Sequence, residues 1–205
     1  MSAPPLVARA GEDERAAVVD VLHDAFIDED GLNYWLRQGA QKEPARRRFF
    51  EAAVRKAVHP KRELWLARDG SVGIGAALWL PPGAIAFDHT PLQQVLMAPL
   101  LFSIAGREGL SRARELGAKL AAHHPREPHA HLVFLGVASR AQGRGVGSAM
   151  LKTMLALLDA QGLTAYLEAS KERNVALYQR YGFEVTGAFE LPGVRFWTMT
   201  RKPRG

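Results

Sequence analysis

A mixed α/β domain is what this sequence predicts, and three observations carry the prediction. Short apolar runs of strand character alternate with segments whose apolar residues recur at helical spacing. One glycine-dense stretch, QGRGVG at 142–147, joins such a run to such a helix. The composition, 47% hydrophobic and 23% charged over 205 residues, is that of an ordinary globular chain, and the length suits one domain spanning 1–205.

The elements follow in order. Leu6 to Arg9 reads as a short strand. From Glu12 to Ile27, Val18, Leu22 and Ala25/Phe26 recur on one face while Asp20, Asp24 and Asp28 take another, which predicts an amphipathic helix. A second helix is expected from about Pro44 to Val58, with proline in its first turn and Pro60 closing it. The stretch between, FIDEDGLNYWLRQG, reads as a linker. ELWLARDGSVGIGAALWLPPG predicts two strands turning at Asp69-Gly70.

Residues 84–129 read as a helical insertion, with breaks expected at Pro99 and Gly109 and a loop at HHPREP. HLVFLGVA follows as a central strand, bulky on both faces. SAMLKTMLALLDAQG predicts a helix ended by Gly162, LTAYLEAS a strand, and ERNVALYQRYG a helix closed by Gly182. FEVTGAFELPGVRFWTMTRK predicts a strand pair turning at Pro192-Gly193. The sum is a mixed sheet of about six or seven strands flanked by helices, with the insertion placed before the central strand.

Composition excludes several chemistries. With zero cysteines the chain offers no disulfide, thiolate metal site, iron–sulfur cluster or cysteine nucleophile. No signal-like leader and no membrane-length apolar run is evident, so a soluble, cytoplasmic protein is expected. The net charge of +6 is uneven: Gly11–Gly31 holds eight acids and one base, while Arg140–Gly205 holds ten bases and five acids. A basic C-terminal part suits a polyanionic ligand, and an acidic N-terminal part suits a cation. No helix-turn-helix or RNA-binding signature supports nucleic acid.

The loop Gln142–Ser148 carries the most specific chemistry. Gly143, Gly145 and Gly147 leave backbone N–H groups uncovered at a helix start, where the helix dipole favours anions. No Lys-Ser/Thr pair follows, which excludes the ATPase loop, and Ser148 replaces the third glycine of a dinucleotide fingerprint.

The stretch QGRGVG, with LVFLGV before it and a helix after it, resembles the Gln/Arg-x-x-Gly-x-Gly/Ala loop of the GNAT acetyltransferase superfamily. YLEAS, RNVALYQRYGFEV and FWTMTRK continue the likeness. HHPREP, GRGVGSA, RYGF and MTRKP resemble the puromycin-type branch and its actinobacterial relatives. The resemblance implies a GNAT fold and acetyl-CoA as donor. It places the pyrophosphate on the amides of Gln142, Gly143, Arg144, Gly145, Val146, Gly147 and Ser148, and pairs Val137 with pantetheine. Tyr178 matches the family's general acid, and Asn174, one turn earlier, would hold pantetheine or Tyr178.

Without a covalent nucleophile in view, direct attack by a bound amine is the expected route, and the amine needs a proton acceptor. His131 stands where the histone-acetylating members carry a glutamate base. Glu168, an in-strand carboxylate, is an equal candidate, and a water path is a third. For the acceptor, Asp28, Glu29 and Asp30 would steer a cationic amine, Tyr34 and Trp35 would offer aromatic faces, and Trp79 would line the same cleft. A small-molecule amine acetyltransferase, monomer or homodimer, is the first expectation. A protein lysine acetyltransferase and a non-catalytic acyl-CoA sensor are the alternatives.

Overall fold

The computed structural model describes residues 5–204. Seven strands form one sheet in the order β1-β2-β3-β4-β5-β7-β6. They are β1 (Leu6–Arg9), β2 (Glu63–Asp69), β3 (Val72–Leu80), β4 (Ala130–Val137), β5 (Ala165–Ala169), β6 (Glu184–Leu191) and β7 (Val194–Arg201). Every neighbouring pair is antiparallel except β4 and β5. The expected strands are all present, and both hairpins turn where Asp69-Gly70 and Pro192-Gly193 predict.

The helices are α1 (Arg15–Ala25), α2 (Asp30–Trp35), α3 (Lys42–Ala52), α4 (Pro91–His123), α5 (Val146–Ala160) and α6 (Glu172–Arg180). The sheet separates two cores. On one face Leu66, Leu78 and Leu80 pack under α1 to α4 with Leu22, Leu36 and Phe50. On the other, Ala67, Ala77 and Trp79 pack under α5 and α6 with Met150, Leu151, Met154 and Tyr178. The alternation of side chains along β3 produces this division, since neighbours in a strand point to opposite faces.

Two expectations are corrected. The linker FIDEDGLNYWLRQG contains α2, whose N-terminus is capped by Glu29: its carboxylate accepts from the N–H groups of Gly31 at 3.0 Å and Leu32 at 2.5 Å. Six residues are too few for periodicity to reveal a helix; the cap and the burial of Leu32 and Trp35 hold it. In the insertion, neither Pro99 nor Gly109 interrupts the helix. The break is at Gly106, with φ +67° and ψ −175°, a conformation that excludes a side chain. Pro99 lies on the exposed side, where water can serve the carbonyl it fails to bond. Gly109 marks a close approach instead, because a Cβ there would lie 2.0 Å from the Trp35 carbonyl oxygen.

Candidate active site

The parallel pairing of β4 with β5 is short. Ala130, His131 and Leu132 pair with Ala165, Tyr166 and Leu167, and there it stops, although β4 continues to Val137 and β5 to Ala169. A bulge explains the parting. On the other side of β4, Phe134 pairs with Leu78 and Leu132 with Trp79, so Val133 is an extra residue without a partner. Bulges bend the strand that carries them. The sheet therefore opens between β4 and β5, leaving backbone groups of β4 beyond Leu132 without a β5 partner on that side.

The glycine loop lies at the end of β4. Asp24 on α1 holds its entry, accepting from Ser139 N–H at 2.5 Å and Ser139 Oγ at 3.1 Å. Gln142 Nε2 reaches back to the Val137 carbonyl at 3.4 Å, and Arg144 pairs with Asp69 at 2.8 Å. Residues Gln142 to Gly145 are exposed. Gly145 adopts φ +77°, closed to most side chains, and caps α5. The first bond of the α5 ladder runs from Ala149 N–H to the Gly145 carbonyl at 2.9 Å, so the amides of Val146, Gly147 and Ser148 precede it. At its other end α5 is braced to β7 by two 2.7 Å bonds between Asp159 and Arg201, which hold the Asp159 carboxyl down to about 2.

At the closed end of the gap, His131 and Glu168 meet. The His131 Nε2–H donates to Glu168 Oε2 at 2.8 Å, with the two side chains only 5% and 12% exposed. Burial alone would raise the Glu168 carboxyl. The His131 charge when protonated and this bond, with smaller contributions from Tyr166 and His124, together outweigh burial and hold the carboxyl below the usual range. His131 Nδ1 is buried and has no partner among the described residues.

Tyr178 and Glu29 come from opposite faces of the sheet. Tyr178 is buried on α6 against Phe183, their rings 5.7 Å apart. Glu29, besides capping α2, accepts from Ser170 Oγ just beyond β5. Burial, and then the Glu29 charge, push the Tyr178 hydroxyl above its ordinary value. Asp30 sits 3.7 Å from Lys171, so the acidic corner closes on the segment linking β5 to α6.

The chain has matches among known proteins. The family model described as "Acetyltransferase (GNAT) family" matches residues 34–183. This chain belongs to the GNAT family. It is 32% identical over 170 residues to mycothiol acetyltransferase of Paenarthrobacter aurescens, covering 65% of this chain and 53% of that one. It is also 32% identical over 123 residues to the Streptomyces avermitilis protein of the same name, covering 52% and 39%. The chain thus spans about half the length of the curated relatives it matches. A crystal structure from Corynebacterium glutamicum, described as histone acetyltransferase HPA2 and related acetyltransferase, superposes with a TM-score of 0.78 at 28% identity, covering 99% of this chain and 98% of that one.

Within this GNAT frame, Val137 ends β4 just before the loop Gln142–Ser148, His131 and Glu168 meet where the β4–β5 pairing stops, and Glu29 reaches Ser170 just beyond β5, its charge acting on Tyr178. Asn174 is half-buried one turn before Tyr178 on α6. Asp28 is exposed beside the corner. Three aromatic expectations are corrected. Tyr34 donates to Glu115 on α4 at 2.7 Å. Trp35 is core, edge-on to Phe49 at 5.3 Å. Trp79 lies on the face covered by α5, its Nε1–H directed at Met154 Sδ at 3.0 Å, away from α2.

Sequence reasoning missed Asp24, Ser170 and the surroundings of His131. Its ring is 5.1 Å from Tyr166, 5.4 Å from His124 and 6.3 Å from His129. Burial lowers both His124 and His129 from their ordinary values. A signal existed for part of it: 166 and 168 are two apart within one strand, which means one face. Nothing local signals Asp24 or Ser170, whose partners lie more than a hundred positions away.

Proposed function

We propose that the chain is a single-domain N-acetyltransferase that moves an acetyl group from acetyl-CoA to a primary amine of a small cationic molecule, by direct attack in a ternary complex. The observation that carries this reading is the gap between β4 and β5 with unladdered amides at its mouth and Tyr178 beside it. The residues fit the donor. Gly143 to Gly145 offer an exposed backbone and Val146 to Ser148 a helix N-terminus for the pyrophosphate, while Val137 and its neighbours offer strand-edge groups for pantetheine. Bound acetyl-CoA supplies the activated acetyl thioester.

The chain's own groups handle protons. An amine of ordinary pKa costs about 4 to 5 kcal/mol to deprotonate at neutral pH. His131 Nδ1 is the atom assigned to accept that proton. The Glu168 carboxylate, bonded to Nε2, fixes the ring and stabilises the imidazolium that results. Tyr178 Oη keeps its own proton at neutral pH and is the group assigned to give it to a departing thiolate. The negative corner at Glu29, Asp30 and Asp28 favours a positively charged acceptor.

The test is release of free coenzyme A from acetyl-CoA with a panel of amines: cationic amines with apolar bodies, puromycin among them, anionic amines, and lysine peptides. Turnover highest with the cationic small amines supports the reading. Turnover highest with peptides replaces it by protein acetylation. Tight coenzyme A binding without release for any amine replaces it by an acyl-CoA sensor.

A further inference from the structure

The first arm of α4, before the break at Gly106, is apolar on both sides. Ile104 and Ala105 are buried against the body, and Leu100 packs on the same core. On the opposite side Leu92, Val95, Leu96 and Phe102 are 69%, 70%, 71% and 49% exposed. Positions 92, 95, 96, 99 and 102 share one helical face. No charged residue occurs from Thr90 to Gly106. An uncharged helix with two apolar faces belongs in an interior, yet one of those faces meets water.

The exposed side chains of this arm present about 600 Å² of apolar surface, at the upper end of what monomers tolerate. Ile85 and Phe87, also exposed, extend the apolar character of the segment leading into the helix. That approaches the ~800 Å² each partner contributes to a standard interface.

Charge indicates what covers it. Two copies carrying +6 repel, and a docking face with a net charge of either sign would add to that repulsion, because in a two-fold interface the same patch meets itself. A face without charge adds nothing to that repulsion. A foreign partner would be steered by complementary charge, and a membrane surface by basic residues; this arm has neither before Arg107. We propose that Pro91–Ala105 packs against the same segment of a second copy, forming the two-fold interface of a homodimer. The inference does not rest on the acetyltransferase reading.

The absence of native cysteine makes the test clean. Sedimentation velocity of the full chain at about 50 µM should give twice the 22.5 kDa of one chain. Leu92→Glu with Leu96→Glu should give a monomer with unchanged circular dichroism and a dimer dissociation constant at least about 100-fold weaker. Single variants Leu92→Cys, Val95→Cys, Leu96→Cys and Phe102→Cys, mildly oxidised, should include at least one that forms an intermolecular disulfide. Val72→Cys, exposed on the β2–β3 hairpin, should form none. A monomeric wild type, a dimer that survives the double glutamate variant, or a face on which no cysteine cross-links would each overturn the proposal.

Discussion

Around the glycine loop, the groups available to a ligand are backbone amides that the fold leaves over. Around Glu29 they are side chains that already hold one another. The amides of Val146, Gly147 and Ser148 precede the α5 ladder, and Gln142 to Gly145 are exposed. Glu29, by contrast, accepts from two α2 amides and from Ser170, and Asp30 is drawn to Lys171. The first arrangement is ready for an anion without rearrangement. The second has to share bonds it already makes, so its contribution to acceptor binding is the smaller and more electrostatic of the two. The variants below test that ordering, from the largest expected effect down.

Tyr178 belongs to neither group: it is buried on α6 against Phe183, where the Glu29 charge acts on it. Tyr178→Phe keeps the ring packing and removes the proton donor, so kcat should fall about 100-fold or more while acetyl-CoA affinity stays within about twofold. Because the hydroxyl is raised in the folded protein, its donor form persists past the ordinary tyrosine value. The alkaline loss of activity assigned to it should therefore lie above about pH 10. Steady-state kinetics across pH, with calorimetry for the donor, check both.

Gly145→Val should weaken coenzyme A binding about tenfold or more. A β-branched residue at φ +77° strains the cap by about 1–2 kcal/mol and redirects the amides. No atom lies within 4 Å of the added Cβ, so circular dichroism should not change. Calorimetry showing wild-type affinity in the folded variant would mean that the loop amides are not the anion site.

Much of the glycine loop was legible in the sequence because glycine, loop position and helix start are local facts. Gln142, Gly143, Gly145 and Val146 stand where the spacing puts them. The sheet was legible too, since every strand shows its alternation or its turn residues. The surroundings of the acidic turn were not. Trp35 and Tyr34 read as ligand faces, but an aromatic beside an acidic turn looks the same whether it points into a cleft or into a core. Only the tertiary contacts, Phe49 for one and Glu115 for the other, decide it. Glu29 reads in the sequence only as part of an acidic turn, and its partner Ser170 is far away in sequence, so its role as a bonded brace was invisible.

Glu29→Gln sharpens this point. The amide retains one acceptor oxygen, so α2 should lose about 1 kcal/mol of stability rather than unfold. The Michaelis constant for a cationic acceptor should rise about fivefold with that for acetyl-CoA unchanged. Smaller still is Asp28→Asn. Asp28 is exposed, and its effect on the same constant should stay under about twofold and vanish at high salt. Equal effects of the two substitutions would show that the Glu29 network is incidental.

The central claim, that leftover amides of the β4–α5 turn receive the donor, is tested most directly by amide hydrogen exchange with and without coenzyme A. The amides from Gly143 to Ser148 should become protected on binding, while Ala130 to Leu132, already paired with β5, should not change. Coenzyme A bound to the protein with exchange at Gly143–Ser148 unaltered would contradict the account.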